Sequence, residues 1–327
     1  MLLTNQPSNP NPLEQAWKTN KSLTILLLVC LTTMTLSFLG LFIDPRLTEI
    51  LNTPTWTKTF KFSISFAVYA ASLLWVLPFL EPRLQRNAGI AVSIVSNAGL
   101  IEVILIAIQG FRAVPMHFNE TTPFNTLLWQ IMTVSIGVLL FSYIAFMVIA
   151  WRGIKTNPVL AWGIRLGLAV TLIGLLQGGV MTGPNSMQIQ AMDAGQTLSM
   201  VGAHTVGNSS LTPDNGPGLP LLGWNTTTGD LRIGHFIGLH ALQLLPFLAI
   251  WLSRRRELWL TDRYRNNLLS IAAFGYLGMI VLVTWQAFRG QSIVAPDSLT
   301  ISVFLGLLGS VALLSFGVLA HARAKNQ

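Results

Sequence analysis

Apolar residues in this chain fall into eight long runs that are separated by polar segments. Each run is close to the ~20 residues that a helix needs to cross the hydrocarbon core of a bilayer. The runs do not alternate apolar and polar residues, as the strands of a membrane β-barrel would. The pattern therefore predicts an all-α, polytopic membrane helical bundle of about eight transmembrane helices. The runs are Ser22–Phe42, Phe62–Leu80, Ala88–Gly110, Thr126–Trp151, Val159–Met181, Ile233–Leu252, Asn267–Phe288 and Thr300–Ala320.

Composition favours lipid over water as the surrounding solvent. Hydrophobic residues make up 52% of the 327 residues and charged residues only 10%, whereas a soluble chain carries about a quarter charged residues. The net charge of +8 comes from short basic clusters between the apolar runs, which is typical of membrane orientation. We therefore expect the lipid bilayer as a partner and no nucleic acid. The single cysteine, Cys30, excludes an internal disulfide and a cysteine-based metal cluster.

Lysine and arginine residues alternate between the two sides of the predicted bundle. They are concentrated before the first run, after each even-numbered run and at the C-terminus, with Arg46, Lys58 and Lys61 as exceptions. The positive-inside rule then places both termini in the cytoplasm. An even number of spans agrees, because it requires both termini to lie on the same side of the membrane. We expect a multi-pass protein of a bacterial-type cell (inner) membrane.

The predicted spans divide the chain into a tail and two halves. Residues 1–21 are polar and indicate a loose cytoplasmic tail, followed by four-helix halves at 22–151 and 152–327. The second half contains a long loop, 182–232, that is rich in Gly, Asn, Thr and Pro. Loops of this length are usually functional or disordered. Its Trp, Met and Leu content favours a folded lid on the outer face with short helical pieces, and a flexible linker is the alternative.

Two pairs of short motifs indicate an internal duplication. Gln109–Arg112 ends the third run and Gln286–Arg289 ends the seventh, with the pattern Gln-x-Phe-Arg at an offset of 177 residues. The string Leu-Pro-Phe-Leu occurs in both the second and the sixth runs. Internal repeats are common in polytopic folds, so we predict a 4+4 pseudo-repeat.

Four of the five histidines map to the predicted outer side of the membrane, namely His117, His204, His235 and His240. Imidazole is a common ligand for zinc, copper and haem iron, so these four are candidate metal ligands. On the sixth run, His235, His240 and Gln243 fall within an arc of ~140° and are expected to share one inward-facing surface. The candidate cofactor-binding residues are His117, His204, His235, His240, Gln109, Gln243 and Arg112.

Glu102 is the only acidic residue well inside a predicted span. An ionisable residue in a span is costly and usually faces the interior of the bundle. Helix geometry places Glu102 at a depth similar to that of His240. We predict a catalytic role for Glu102 as a proton carrier, and a structural carboxylic acid between helices is the alternative.

The eight spans, the two four-helix halves and the outer histidines together resemble haem A synthase and related b-type membrane cytochromes. This architectural resemblance implies haem b, and a divalent metal is the other cofactor that the histidines indicate. The first hypothesis is therefore a haem- or metal-binding oxidoreductase with its site at the outer face. Its alternatives are a metal-dependent lipid hydrolase, and a transporter or non-catalytic membrane subunit. For the hydrolase, Asp193, Asp214 or Asp230 would supply a carboxylate; the substrate would be a small molecule or a lipid.

Overall fold

The computed structural model describes residues 11–207, 210–212, 214 and 216–325. Within these residues, eight helices or helix pairs are long and apolar enough to cross a membrane. The chain is therefore a multi-pass helical membrane protein, and the predicted fold class is confirmed. In chain order the spans are α2 (Lys21–Ile43), α3 (Trp56–Val76) with a 3-10 turn at Leu77–Phe79, α4 (Pro82–Phe111), α5 (Pro123–Gly153), α6 (Pro158–Val180), α8 (Arg232–Leu239) continued by α9 (Ala241–Ser253), α10 (Asp262–Phe288) and α11 (Ser298–Ala324).

Part of the predicted loose tail is helical. Residues Pro12–Thr19 form helix α1, because the Asn11 side chain accepts a hydrogen bond from the Leu13 N–H and proline occupies the first helical position. Glu14 and Lys18 add an ion pair across one turn. The tail prediction is thus wrong for these residues, and residues 1–10 lie outside the described part of the chain.

The long loop is folded, as predicted. It contains a two-turn helix, α7 (Ser186–Asp193), whose first turn is closed by a capping box between Asn185 and Gln188. It also contains an antiparallel pair of short strands, β1 (Thr205–Val206) and β2 (Gly229–Asp230). We call the end of the bundle that carries residues 181–231 the long-loop end.

The spans have the same packing arrangement in both halves. The main contacts join α2 to α3 and α4 to α5 in the first half, and α6 to α8 and α9 and α10 to α11 in the second. Helix α4 also packs against α2 and α3, just as α10 packs against α6, α8 and α9. Contacts between α5 and α6 join the halves. This arrangement supports the predicted 4+4 repeat.

The matched helix ends also share their hydrogen bonds. Gln109 Nε2 donates to the carbonyl of Pro115 at 3.4 Å, and Gln286 Nε2 donates to the carbonyl of Ser292 at 2.8 Å. Each bond joins a glutamine to a carbonyl six residues further along the chain. The two glutamines, and likewise the two acceptors, are 177 residues apart, which is the offset between the two motifs. In contrast, the repeated Leu-Pro-Phe-Leu string adopts different conformations. In the first half its first three residues form the 3-10 turn after α3, whereas in the second half the whole string is α-helical within α9.

Small residues bring α6 into backbone contact with α8. A Cβ atom at Gly174 would lie 2.6 Å from the carbonyl carbon of Gly238. At the next turn the Thr171 hydroxyl accepts a hydrogen bond from the Leu242 N–H at 3.1 Å. A side chain that enters the backbone hydrogen-bond ladder in this way interrupts a helix, and the sixth span breaks at His240, between α8 and α9.

Helix α3 begins earlier than the apolar run predicts. It starts at Trp56 rather than Phe62, so Lys58 and Lys61 lie in its first two turns and not in a loop. The helical backbone continues beyond the apolar stretch because long lysine side chains can extend along it toward a polar region. Lys61 Nζ donates to the carbonyl of Leu222 in the long loop at 2.6 Å.

The glycine contact between α6 and α8 predicts a specific stability defect. Gly174→Val should destabilise the protein by about 1–3 kcal/mol or more, because the added methyl groups overlap the backbone of α8. The measurement is thermal unfolding in detergent. Gly137→Val is the matched control, since a Cβ at this mid-span glycine would meet no atom within 4 Å among the described residues. Equal melting temperatures for the two variants would contradict the prediction.

Candidate functional site

The loop that follows α4 brings His117 against the long loop. The N–H of Val201 donates to the carbonyl of Phe118 at 3.1 Å. Phe118 has a φ of 61° and Gly202 a φ of 114°, and a Cβ at Gly202 would lie 2.6 Å from the Phe118 ring. Only glycine allows this approach, so Gly202 fixes the position of Phe118 and with it that of His117.

Asp214 orients His204 on the long loop. Its Oδ1 accepts the backbone N–H groups of His204 at 2.9 Å and Thr205 at 3.1 Å, and its Oδ2 contacts His204 Nδ1. Burial lowers the pKa of His204, and the charge and hydrogen bond of Asp214 offset this only in part. Although burial by itself raises the pKa of the Asp214 carboxyl, His204 and Arg232 together hold it below its usual range. Because Asp214 Oδ2 accepts from His204 Nδ1, Nδ1 carries a ring proton and Nε2 is left available for another ligand.

Glu102 and His117 face each other without a hydrogen bond. His117 Nε2 lies 3.5 Å from Glu102 Oε1. Within the described part of the chain, His117 Nε2 and Glu102 Oε2 are buried and lack a hydrogen-bond partner. Burial, followed by the charges of Lys58, His204 and His235, holds the pKa of His117 well below its usual range. A neutral imidazole and a carboxyl group thus lie side by side with unused hydrogen-bonding capacity.

His235 completes the group from the sixth span. Its Nδ1 lies 2.7 Å from the carbonyl oxygen of Gly174, so Nδ1 carries the proton and Nε2 is again free. The ring centroids of His117 and His204 are 6.1 Å apart, and a proton on His235 would disfavour one on His117. We call Glu102, His117, His204 and His235 the histidine cluster.

The structure does not bring His240 and Gln243 into the histidine cluster. His240 Nδ1 lies 3.2 Å from Gln243 Oε1, and its ring contacts Phe236 with a centroid distance of 4.5 Å. These side chains line a separate groove beside Tyr276. His235 instead contacts the carbonyl of Gly174 on α6, and a helix break at His240 lies between the two histidines.

Gln109 and Arg112 are engaged in the corner between α4 and α5. Arg112 Nη1 donates to Gln109 Oε1 at 2.5 Å and to Asn125 Oδ1 at 2.8 Å. Gln109 Nε2 also donates to Asn125 Oδ1, at 3.2 Å. These hydrogen bonds hold the loop that carries His117, so the two residues position the site from one side.

Lys58 is a site residue for which the sequence assigned no role. Its ammonium lies 5.8 Å from the centre of the Phe62 ring, and its charge acts on the protonation of His117 and His204. The sequence feature that singles out Lys58 is its exception to the positive-inside pattern. Lys58 lies in the first turn of α3 rather than in a loop.

Of the three aspartates considered for a hydrolase, only Asp214 touches the histidine cluster. Asp230 is paired with Arg232, whose Nε donates to Asp230 Oδ1 at 2.9 Å. Asp193 is exposed at the end of α7. The acidic groups available at the cluster are therefore Glu102 and Asp214.

Aromatic rings and the long loop cover the histidine cluster. The side chains of His117, His204 and Glu102 are only 14%, 13% and 3% exposed. The rings of Phe62 and Trp129 each lie 5.6 Å from that of His117, and Phe118 contacts both His117 and His204. The cluster is thus a small, buried polar site that aromatic side chains surround.

This packing distinguishes between the two cofactors that the sequence indicated. Phe118 packs against both rings, with centroid distances of 6.1 Å to His117 and 4.8 Å to His204, so a haem macrocycle between the two imidazoles would compete with Phe118 for space. A metal ion is far smaller and would satisfy the unpaired Glu102 and His117 atoms. As the side chains stand, no group of three or more His, Cys, Asp or Glu in the described ranges has the spacing to hold a metal.

The fold and the site define a class, a helical multi-pass membrane protein with a buried histidine and carboxyl cluster at one end of the bundle. Comparison of the chain with family models, with curated proteins and with solved structures finds no match.

The role of Asp214 in ordering the long loop can be tested directly. Asp214→Asn should destabilise the segment around His204 by about 1–3 kcal/mol, since hydrogen bonds to a charged acceptor are lost or weakened. Hydrogen exchange of residues 201–206 should become faster. Asp193→Asn is the control, because it removes the same charge from an exposed position in the same loop. Unchanged exchange in Asp214→Asn would contradict the prediction.

Proposed function

We propose that this protein is a membrane oxidoreductase that binds one divalent transition metal at the histidine cluster. The observation that supports this is the pair of buried, unpartnered atoms, Glu102 Oε2 and His117 Nε2. Buried polar atoms without partners are rare in folded proteins and call for an explanation such as an ion. Imidazole nitrogen and carboxylate oxygen are ligands for zinc, copper and iron.

The orientation of the imidazoles also supports a metal. Metal-binding histidines usually donate their other ring N–H to a carboxylate or a backbone carbonyl. His204 does so to Asp214 and His235 does so to Gly174, which leaves Nε2 free on each. Metal–nitrogen bonds of about 2.0–2.1 Å give two rings on one metal a centroid separation of roughly 5–6.5 Å. The separation of 6.1 Å between His117 and His204 fits, and rotation of the Glu102 side chain would add an oxygen ligand.

Burial favours electron transfer over hydrolysis at this cluster. A lipid hydrolase needs its substrate to reach the metal, whereas the described side chains leave the cluster almost fully covered. A bound copper or iron ion would supply one-electron chemistry, which needs no direct contact with the substrate. Glu102 would hold or release the proton that accompanies a change in charge.

We also propose that both termini lie in the cytoplasm of a bacterial-type cell. The basic clusters that flank the spans support this orientation through the positive-inside rule. It places the long-loop end, with the histidine cluster, at the outer face. A site in this position would meet reactants from outside the cell or from the outer leaflet.

Metal analysis tests the proposed function. The purified full-length chain, loaded with copper, iron or zinc and then desalted, should retain about one metal ion per molecule. His117→Gln and Glu102→Gln should each lose most of it, while His321→Gln should retain it, because His321 lies in the last turn of α11. Retention of only zinc would favour the hydrolase. A Soret band would favour haem. If the native chain retains no metal and shows no Soret band, the proposed function is overturned, and a transporter or a non-catalytic subunit is the remaining hypothesis.

Cysteine labelling tests the orientation. Cys30 is buried in α2, so the unmodified chain should react little with a membrane-impermeant maleimide and serves as the control. In intact cells Asp193→Cys should be labelled and Leu258→Cys should not, since residue 258 follows the sixth span on the opposite side. The reverse labelling pattern would overturn the proposed orientation.

A further inference from the structure

A groove beside His240 interrupts the surface of the sixth span within the membrane. It has a volume of about 420 Å³ and is lined by Phe236, Ile237, His240, Gln243, Leu244 and Tyr276. Phe236 is 37% and Leu244 51% exposed, so the groove opens to the side of the bundle. His240 follows Arg232 by eight residues, or about 12 Å along a helix with a rise of 1.5 Å per residue. The groove therefore lies close to the middle of a hydrocarbon core that is about 30 Å thick.

The helix break beside this groove leaves its backbone groups satisfied. Leu242 N–H donates to Thr171 Oγ1 at 3.1 Å, and Ile237 O accepts from the Tyr276 hydroxyl at 2.5 Å. Interrupted spanning helices occur at ligand sites in membrane proteins, where the irregular backbone lines a cavity. Among the described residues that line this groove, His240 is bonded through Nδ1, and its Nε2 has no hydrogen-bond partner.

A chain of hydrogen bonds determines which ring nitrogen of His240 carries the proton. The Ser72 hydroxyl donates to the carbonyl of Val68 at 2.7 Å, so its oxygen accepts from Gln243 Nε2 at 2.9 Å. This leaves Gln243 Oε1 facing His240 Nδ1 at 3.2 Å, so Nδ1 carries the ring proton. His240 Nε2 is consequently a hydrogen-bond acceptor on a residue that lines this groove at the side of the bundle.

We propose that this groove binds the hydroxyl head of a neutral lipid dissolved in the membrane, with His240 Nε2 accepting the hydrogen bond. Charged head groups remain at the membrane surface, because their transfer to the depth of His240 is prohibitively costly. A neutral hydroxyl can enter, and its buried O–H needs an acceptor. The ring of Phe236 contacts the imidazole and Tyr276 lines the same groove, which suits a ring-shaped head such as that of a hydroquinone. This site is independent of the proposed metal.

Equilibrium binding to the full chain in lipid nanodiscs tests the proposal. The probes are a short-tailed benzohydroquinone under anaerobic conditions, the corresponding quinone, and dioctanoylglycerol as an aliphatic alcohol. The hydroquinone should bind at least about tenfold more tightly than the quinone, since the quinone has no O–H to donate. Tight binding of dioctanoylglycerol alone would also support the proposal and would identify an aliphatic lipid. Binding of hydroquinone and quinone with equal affinity, or no binding of either hydroquinone or dioctanoylglycerol, would overturn it.

Variants locate the site. His240→Leu should weaken hydroxyl-lipid binding about tenfold or more, whereas Phe247→Leu, at an exposed position of α9 outside the groove lining, should not. Ser72→Ala leaves the groove lining intact but frees the Gln243 amide to reverse. It should therefore reduce the preference for hydroxyl over carbonyl heads. Unchanged binding in His240→Leu would overturn the proposal, and a single sharp elution peak would show that each variant folds.

Discussion

The backbone contact between Gly174 and Gly238 is the interaction on which both polar sites depend. It draws α6 and α8 together until a single Cβ atom would not fit between them. At this distance the Gly174 carbonyl reaches His235, and the Thr171 hydroxyl reaches the backbone of the sixth span. The contact thus orients one histidine toward the cluster and breaks the helix at His240. Without water in the bilayer core, such direct contacts are how polar groups obtain partners.

The long-loop end has a second organising element, the carboxylate of Asp214. It accepts two backbone N–H groups and one imidazole, so a single side chain fixes both the fold of the loop and the tautomer of His204. Glu102, in contrast, meets His117 without a hydrogen bond. The difference between a satisfied and an unsatisfied carboxyl group distinguishes the structural acid from the candidate functional one.

Sequence reasoning succeeded where a local pattern has only one physical solution. Apolar runs of ~20 residues must become spanning helices in lipid, and the glutamine of the repeated Gln-x-Phe-Arg motif makes the same hydrogen bond, to a carbonyl six residues further on, in both halves. It failed where the outcome depends on a neighbouring helix. The angular relation of His235 to His240 assumed an unbroken helix, and Thr171, which lies far away in sequence, breaks it. The apolar run predicts a helix from Phe62 and leaves Lys58 outside it, because hydropathy alone does not indicate where the helical backbone begins.

The sequence by itself therefore determined the membrane class and the eight spans. Only the tertiary structure decided that His117 and His204 meet under a folded loop, that Gly174 orients His235, and that His240 lines a separate groove. The physical reason is range. Hydrophobicity and helix periodicity act over a single element, whereas the position of a polar side chain depends on hydrogen bonds to residues such as Gly174 and Asp214 that other segments supply.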